Sequence, residues 1–144
     1  MYSTIVVGTD GSGSASGAVT QAAKLAALTG ATVHLVTAYK LASAMAAMAP
    51  ETVAFVSSEA DARVAAEEVL ERAAGQVRSA GAKAETHACP GGAAEAIIQV
   101  AEGQQADLVV VGSRGMTGAR RLLGSVPNNV AHHAPCSVLI VHTS

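Results

Sequence analysis

The run Val109-Val110-Val111-Gly112-Ser113-Arg114-Gly115, followed after the spacer Met116–Leu123 by Gly124-Ser125-Val126-Pro127, decides how the rest of the chain is read. Three β-branched residues end abruptly in glycine, as a buried parallel strand does where it feeds a loop. The second Gly-Ser opens a helix. A glycine-punctuated loop backed by a helix N-terminus exposes backbone N–H groups and makes an anion site. Gly112 and Gly115 let a ligand approach the backbone closely and take φ > 0 where needed. Arg114 adds a charge-assisted contact to a phosphate. Ser125 stands either as an N-cap or as a hydroxyl donor to a phosphate oxygen. The same residues also fit plain turn chemistry, with glycines closing a tight turn and Gly-Ser capping a helix. Spacing alone leaves both readings open.

Outward from this stretch, strands and helices alternate. Thr4–Gly8 is continuously apolar and reads as a central strand covered on both faces. It runs into Gly8-Thr9-Asp10-Gly11-Ser12, where Asp10 serves either a ligand or an Asx-turn that caps the next helix. Ser14–Thr29 reads as a helix with a small-residue face of Ala18, Val19, Ala22, Ala23, Leu25 and Ala26, stopped by Gly30. Ala31–Ala38 is the second strand, and His34 within it reads as a packed or edge residue. Leu41–Ser58, rich in Ala and Met around Pro50, reads as a connecting loop with a short helix. Its alternative role is a mobile flap.

Glu59–Ala80 carries Ala62, Ala66, Val69, Ala73 and Val77 at helical spacing, with Glu68 and Arg72 placed for an outward i,i+4 pair. Ala82–Ala88 alternates between polar and small residues, which suits a sheet edge. Ala93–Glu102 is a helix with Ala94, Ile97, Ile98 and Ala101 on its apolar face, stopped by Gly103. Val126–His133 is the last helix, and Cys136–His142 the last strand. His132 and His133 are neighbours about 100° apart on a helix, which is poor chelating geometry.

Alternation of this kind predicts a single α/β domain over residues 1–144, doubly wound, with a five-stranded parallel sheet in the order 3-2-1-4-5 and helices on both faces. The first strand and the Leu108–Val111 strand are then central neighbours whose connections leave to opposite faces. Ligands bind at such a switch point, outside the carboxyl ends of the strands. Asp10 and the Gly112 loop meet there. The final strand, residues 137–141, is an uncharged apolar edge that invites pairing with a second copy.

Composition narrows the function. Half of the 144 residues are apolar and 14% are charged, against roughly a quarter in ordinary domains. That balance predicts a surface partly buried against another subunit. A net charge of −2 and 2% aromatic residues leave no electrostatic stripe or stacking platform for nucleic acid. No apolar run reaches the roughly 18 residues of a membrane span, and no signal pattern opens the chain. A cytoplasmic location is expected, with Cys89 and Cys136 as thiols at opposite rims of the sheet.

Three segments together resemble the universal stress protein family in its nucleotide-binding form. They are the opening Ile5-Val6-Val7-Gly8-Thr9-Asp10-Gly11-Ser12, the Gly112-x-x-Gly115…Gly124-Ser125 signature, and the closing Ala134-Pro135-Cys136-Ser137-Val138-Leu139-Ile140-Val141. They span the chain in the family's order. The spacer Met116–Leu123 is one residue shorter than the family's usual one. The resemblance implies an adenine-nucleotide-binding stress-response regulatory protein that acts as a homodimer paired through residues 137–141. The ligand so implied is ATP, with or without Mg2+, and AMP or cyclic AMP are the alternatives. The positions implied are Thr9, Asp10, Gly11, Ala38, Gly112, Ser113, Arg114, Gly115, Gly124, Ser125 and Val126.

A second reading is a dimeric interaction module whose glycine loop is only a turn. An enzyme is the least expected. The loop lacks the P-loop Lys-[Ser/Thr] pair, and Asp10 is the one carboxylate placed at the rim. Slow hydrolysis of bound ATP is compatible with these residues.

Overall fold

Strand β1 (Thr4–Gly8) leads into helix α1 (Gly13–Thr29) and strand β2 (Thr32–Tyr39). Helix α2 (Thr52–Ser79) and strand β3 (Lys83–Pro90) follow, then helix α3 (Ala93–Gly103), strand β4 (Leu108–Gly112), helix α4 (Ser125–His133) and strand β5 (Ser137–Val141). The computed structural model describes residues 1–40, 52–113 and 124–143, with the backbone alone for 52–58. The expected connector around Met45, Met48 and Pro50 lies outside the described residues, as do Arg114, Gly115 and the spacer Met116–Leu123.

All strands are parallel, in the order β3-β2-β1-β4-β5. Side chains alternate along each strand, and the two faces are covered separately. Ile5, Val7, Val33, Leu35, Leu108 and Val110 pack under α1 and α2. Val6, Val36, Val109 and Val111 pack under α3 and α4. Each fully buried Val, Leu or Ile contributes about 1.5–3 kcal/mol of transfer free energy, which is why the central strands β1 and β4 read as unbroken apolar runs. The connections from β1 and β4 leave to opposite faces, so a crevice opens between their carboxyl ends.

Helix α1 presents Ala18, Val19, Ala22, Ala23 and Ala26 to the sheet. Ser12 is its N-cap, accepting from Ala15 N–H, and Gly30 ends it at φ 79. Several local expectations are corrected. Helix α2 begins at Thr52 rather than Glu59, because no glycine or proline interrupts the chain between Pro50 and Gly75. Its ion pairs among the described residues are Arg63–Glu67 and Glu71–Arg78, not Glu68–Arg72. Gly103 is the last residue of α3, and the left-handed residue beyond it is Gln105, at φ 53. Strand β3 continues to Pro90 because β2 pairs with it as far as Tyr39. An edge strand tolerates proline where the missing N–H would face outward.

Candidate functional site

The carboxyl ends of β1, β2 and β4 and the first turns of α1, α3 and α4 surround one cleft of about 140 Å³. Gly8, Thr9 and Asp10 form its β1 side, Val36 and Ala38 its β2 side, and Val111 and Gly112 its β4 side. Ala15 of α1, Ala93 and Ile97 of α3, and Val126 and Pro127 of α4 complete the described lining. In a parallel α/β layer each helix starts at this rim, with its N-terminus beside the carboxyl end of the strand before it. Three positive dipole ends therefore converge on one space.

The β1–α1 loop is held rigidly. Thr9 N–H donates to Val36 O at 2.9 Å, and Thr37 Oγ1 donates to Thr9 O at 2.7 Å. Gly11 N–H donates to Thr9 Oγ1 at 3.2 Å, and Ser12 N–H donates to Asp10 Oδ1 at 2.9 Å. The Asx-turn of Asp10 is thus present, and the same residue lines the cleft. Gly11 supports the turn at φ 82, a conformation that L side chains rarely adopt.

At α4, Gly124 occupies the N-cap position, without a side-chain cap bond, and Ser125 is the first helical residue. Ser125 is therefore not the N-cap that its type suggested, and its side chain is exposed. Helices leave their first N–H groups without intrahelical partners. Here Pro127 has none to offer, and Asn128 N–H already reaches Gly124 O at 3.1 Å. The Ser125 and Val126 amides are what this helix end holds out to an anion.

Of the positions singled out in the sequence, the structure gathers Thr9, Asp10, Ala38, Gly112 and Val126 around the cleft. Gly11, Ser113, Gly124 and Ser125 sit next to it in the chain without lining it, and Arg114 and Gly115 lie outside the described residues. Gly112 does not take a positive φ. A Cβ there would make ordinary contacts, 3.4 Å from Ser14 O and 3.5 Å from Thr143. Neither crowding nor an unusual turn requires glycine at that position.

The model of the universal stress protein family matches residues 1–142. The chain belongs to the universal stress protein family. A universal stress protein of Mycobacterium tuberculosis strain H37Rv is 40% identical over 146 residues, covering 99% of this chain and 98% of the relative. A solved universal stress protein in complex with cAMP is 36% identical with a TM-score of 0.75, covering 99% of this chain and 98% of that one. Another, from Archaeoglobus fulgidus in complex with dAMP, is 25% identical with a TM-score of 0.72 over 97% and 98% of the two chains.

In this universal stress protein the apolar half of the cleft is not legible in the sequence. Val36, Ala93 and Ile97 look like ordinary core positions, and only the register of β2 and the seating of α3 bring them to the rim. Gly8 is the exception, because a glycine closing a β-branched strand is visible in the sequence. A Cβ on it would lie 2.5 Å from Ile97 Cδ1, so any side chain at the end of β1 would have to push the tip of Ile97 aside. Among the described residues, no helix is long and apolar enough to cross a membrane.

Proposed function

We propose that this universal stress protein binds an adenine nucleotide in the cleft at the carboxyl ends of β1, β2 and β4. The observation that carries the reading is the division of that cleft into two chemistries. One wall is apolar, formed by Val36, Ala38, Ala93 and Ile97, and matches a flat base. The other is the first turn of α4, where the Ser125 and Val126 amides meet the helix dipole and match a phosphate. Arg114 and Gly115, by the family signature, extend the phosphate side.

ATP is the ligand that the signature favours. Asp10 is the one carboxylate in the described lining and already accepts Ser12 N–H. Mg2+ arriving with ATP would be held chiefly by the phosphates and water. A single-phosphate ligand is the second reading. It is favoured by the relatives solved with cAMP and dAMP and by the few amides that α4 offers once Pro127 has removed one.

The protein works by holding its ligand rather than by turning it over, as the single carboxylate of the described lining suits. It acts as a homodimer joined through β5, a sheet edge where Leu139 is 38% exposed and no charged residue interrupts the strand.

The test is calorimetric titration of ligand-stripped protein with ATP and with cAMP, beside sedimentation to read the dimer. Saturable heat with ATP supports the first reading, and preference for cAMP supports the second. No heat with either from a folded protein overturns both and leaves a dimeric interaction module.

A further inference from the structure

His34 of β2 and His87 of β3 are 53 residues apart in sequence, yet their rings meet. His34 Nδ1 lies 2.9 Å from His87 Nε2, with ring centroids 5.2 Å apart and planes inclined by 31°. His34 is 4% exposed and His87 half-buried. The contact is diagonal across the ladder, since His34 is in register with Glu85 and His87 with Val36.

A bond between two imidazole nitrogens needs one N–H and one bare nitrogen. A second proton sets N–H against N–H and places two positive charges side by side, one of them on the buried His34. The pair therefore holds together with one charge or none.

We propose that His34 and His87 form a proton-sensitive latch that clasps the edge strand β3 to β2 and releases it when both rings are charged. Of the charged groups around the pair, Glu85, in register with His34, is the one that partly offsets that second charge. Strand β3 contributes Lys83, Glu85 and Cys89, and β2 contributes Tyr39. Helix α3, packed on both strands, contributes Glu95 and Glu102. Across a groove at the outer edge of β3 stand Arg63, Glu67 and Glu71 of α2. Burial first, and His34 second, push His87 below the ordinary histidine value, with Glu85 opposing.

The sign follows from linkage. Below about pH 6.5 the unfolded chain takes up a proton that the folded His87 resists. Stability is full above that value and drains as pH falls towards the lower folded value.

The latch also adjoins the cleft. Val36, in register with His87, lines it, and so does Ala38 two residues on. Strand β3 ends at Pro90; the next residue, Gly91, donates its N–H to Tyr39 O at 2.9 Å, and the chain runs on into Ala93 and Ile97 of α3. Release of β3 thus loosens one wall of the cleft, a consequence that rests on the nucleotide reading, as the latch itself does not.

The experiment is NMR of the wild-type protein from about pH 8 to about pH 5. It follows the imidazole carbons and the exchange protection of the β3 amides. The expected result has His87 titrating below its ordinary value, with the His34 carbons sensing that event through the ring contact. Protection in β3 should fall by about tenfold or more relative to β1 and β4. In the double variant His34→Leu/His87→Leu, the acid dependence of β3 protection should vanish. Independent titration of His87 at the ordinary value, or acid-dependent β3 protection persisting in the double variant, would overturn the latch. Titrating nucleotide at both ends of the pH range reads the cleft separately. A protein that binds none still reports the latch through β3.

Discussion

Ser113 Oγ accepts the N–H of Thr143 at 2.9 Å, while Ser113 N–H donates to Val141 O at 2.9 Å. Ser113 is 1% exposed. The Ser113 hydroxyl is therefore turned inward, fastening the chain beyond β5 to the start of the glycine loop. Ser113→Ala should cost about 1–3 kcal/mol, because it strands the Thr143 amide in a partly buried place. Thr143 Oγ1, in contrast, is buried with no hydrogen-bond partner among the described residues. Thr143→Val keeps the shape and removes that hydroxyl, so it should be neutral or stabilising by up to about 1 kcal/mol. Urea unfolding of both variants checks the pair, and a strongly destabilised Thr143→Val would contradict the assignment.

The contact of α3 with the end of β1 should be sharply size-limited. Gly8→Ala forces Ile97 aside and should cost about 1–3 kcal/mol by overpacking. Ile97→Val removes the Cδ1 atom that a new methyl would meet first. In a double-mutant cycle the two changes should be less harmful together than their sum. Additive effects would mean that α3 is not seated on Gly8.

Ser125→Pro separates the helix from the phosphate contact. Proline suits the first helical position, and Gly124 before it is already extended, at ψ 165. Stability should stay within about 0.5 kcal/mol of wild type. Loss of one amide donor to an anion should weaken nucleotide binding about tenfold or more, the equivalent of a charge-assisted hydrogen bond. Unchanged affinity by calorimetry would remove α4 from the phosphate side.

For Asp10, the turn and the charge can be divided. Asp10→Asn keeps an acceptor for Ser12 N–H, whereas Asp10→Ala does not. Alanine should lower stability by about 1 kcal/mol and asparagine by much less. A fall in nucleotide affinity shared by both variants identifies the carboxylate as a ligand contact. A fall confined to alanine identifies it as a turn-former only.

The two thiols should stay apart. Burial raises the pKa of Cys89, and burial followed by Asp107 raises that of Cys136. Less thiolate is then present at neutral pH, and alkylation should be slower than for an exposed cysteine. Cys89 is on β3 and Cys136 precedes β5, at opposite edges of the sheet. Four strand spacings put them roughly 19 Å apart, beyond the roughly 7 Å limit for a disulfide. Non-reducing mass spectrometry of the monomer should find both thiols free.

What the sequence by itself determined is whatever depends on neighbours along the chain. The Val109–Val111 and Ile5–Val7 runs announced strands buried on both faces. The alternation from Lys83 to His87 announced an edge, and that edge with right-handed crossovers was enough to order the sheet. Asp10 announced a turn two residues ahead of Ser12.

Only the tertiary structure decided which distant groups meet. His34 looked like a solitary packed residue until β3 arrived in register with β2 and set His87 against it. Ser113 gave no sign in the sequence that the chain beyond β5 returns to it and that Thr143 N–H takes its hydroxyl. Ile97 looked like core until Gly8 admitted it to the rim. Local pattern fixes which face of an element is apolar, because burial is set one residue at a time. A hydrogen bond is set by atoms closing to about 3 Å, and that distance exists only once the strands are in register and the helices seated.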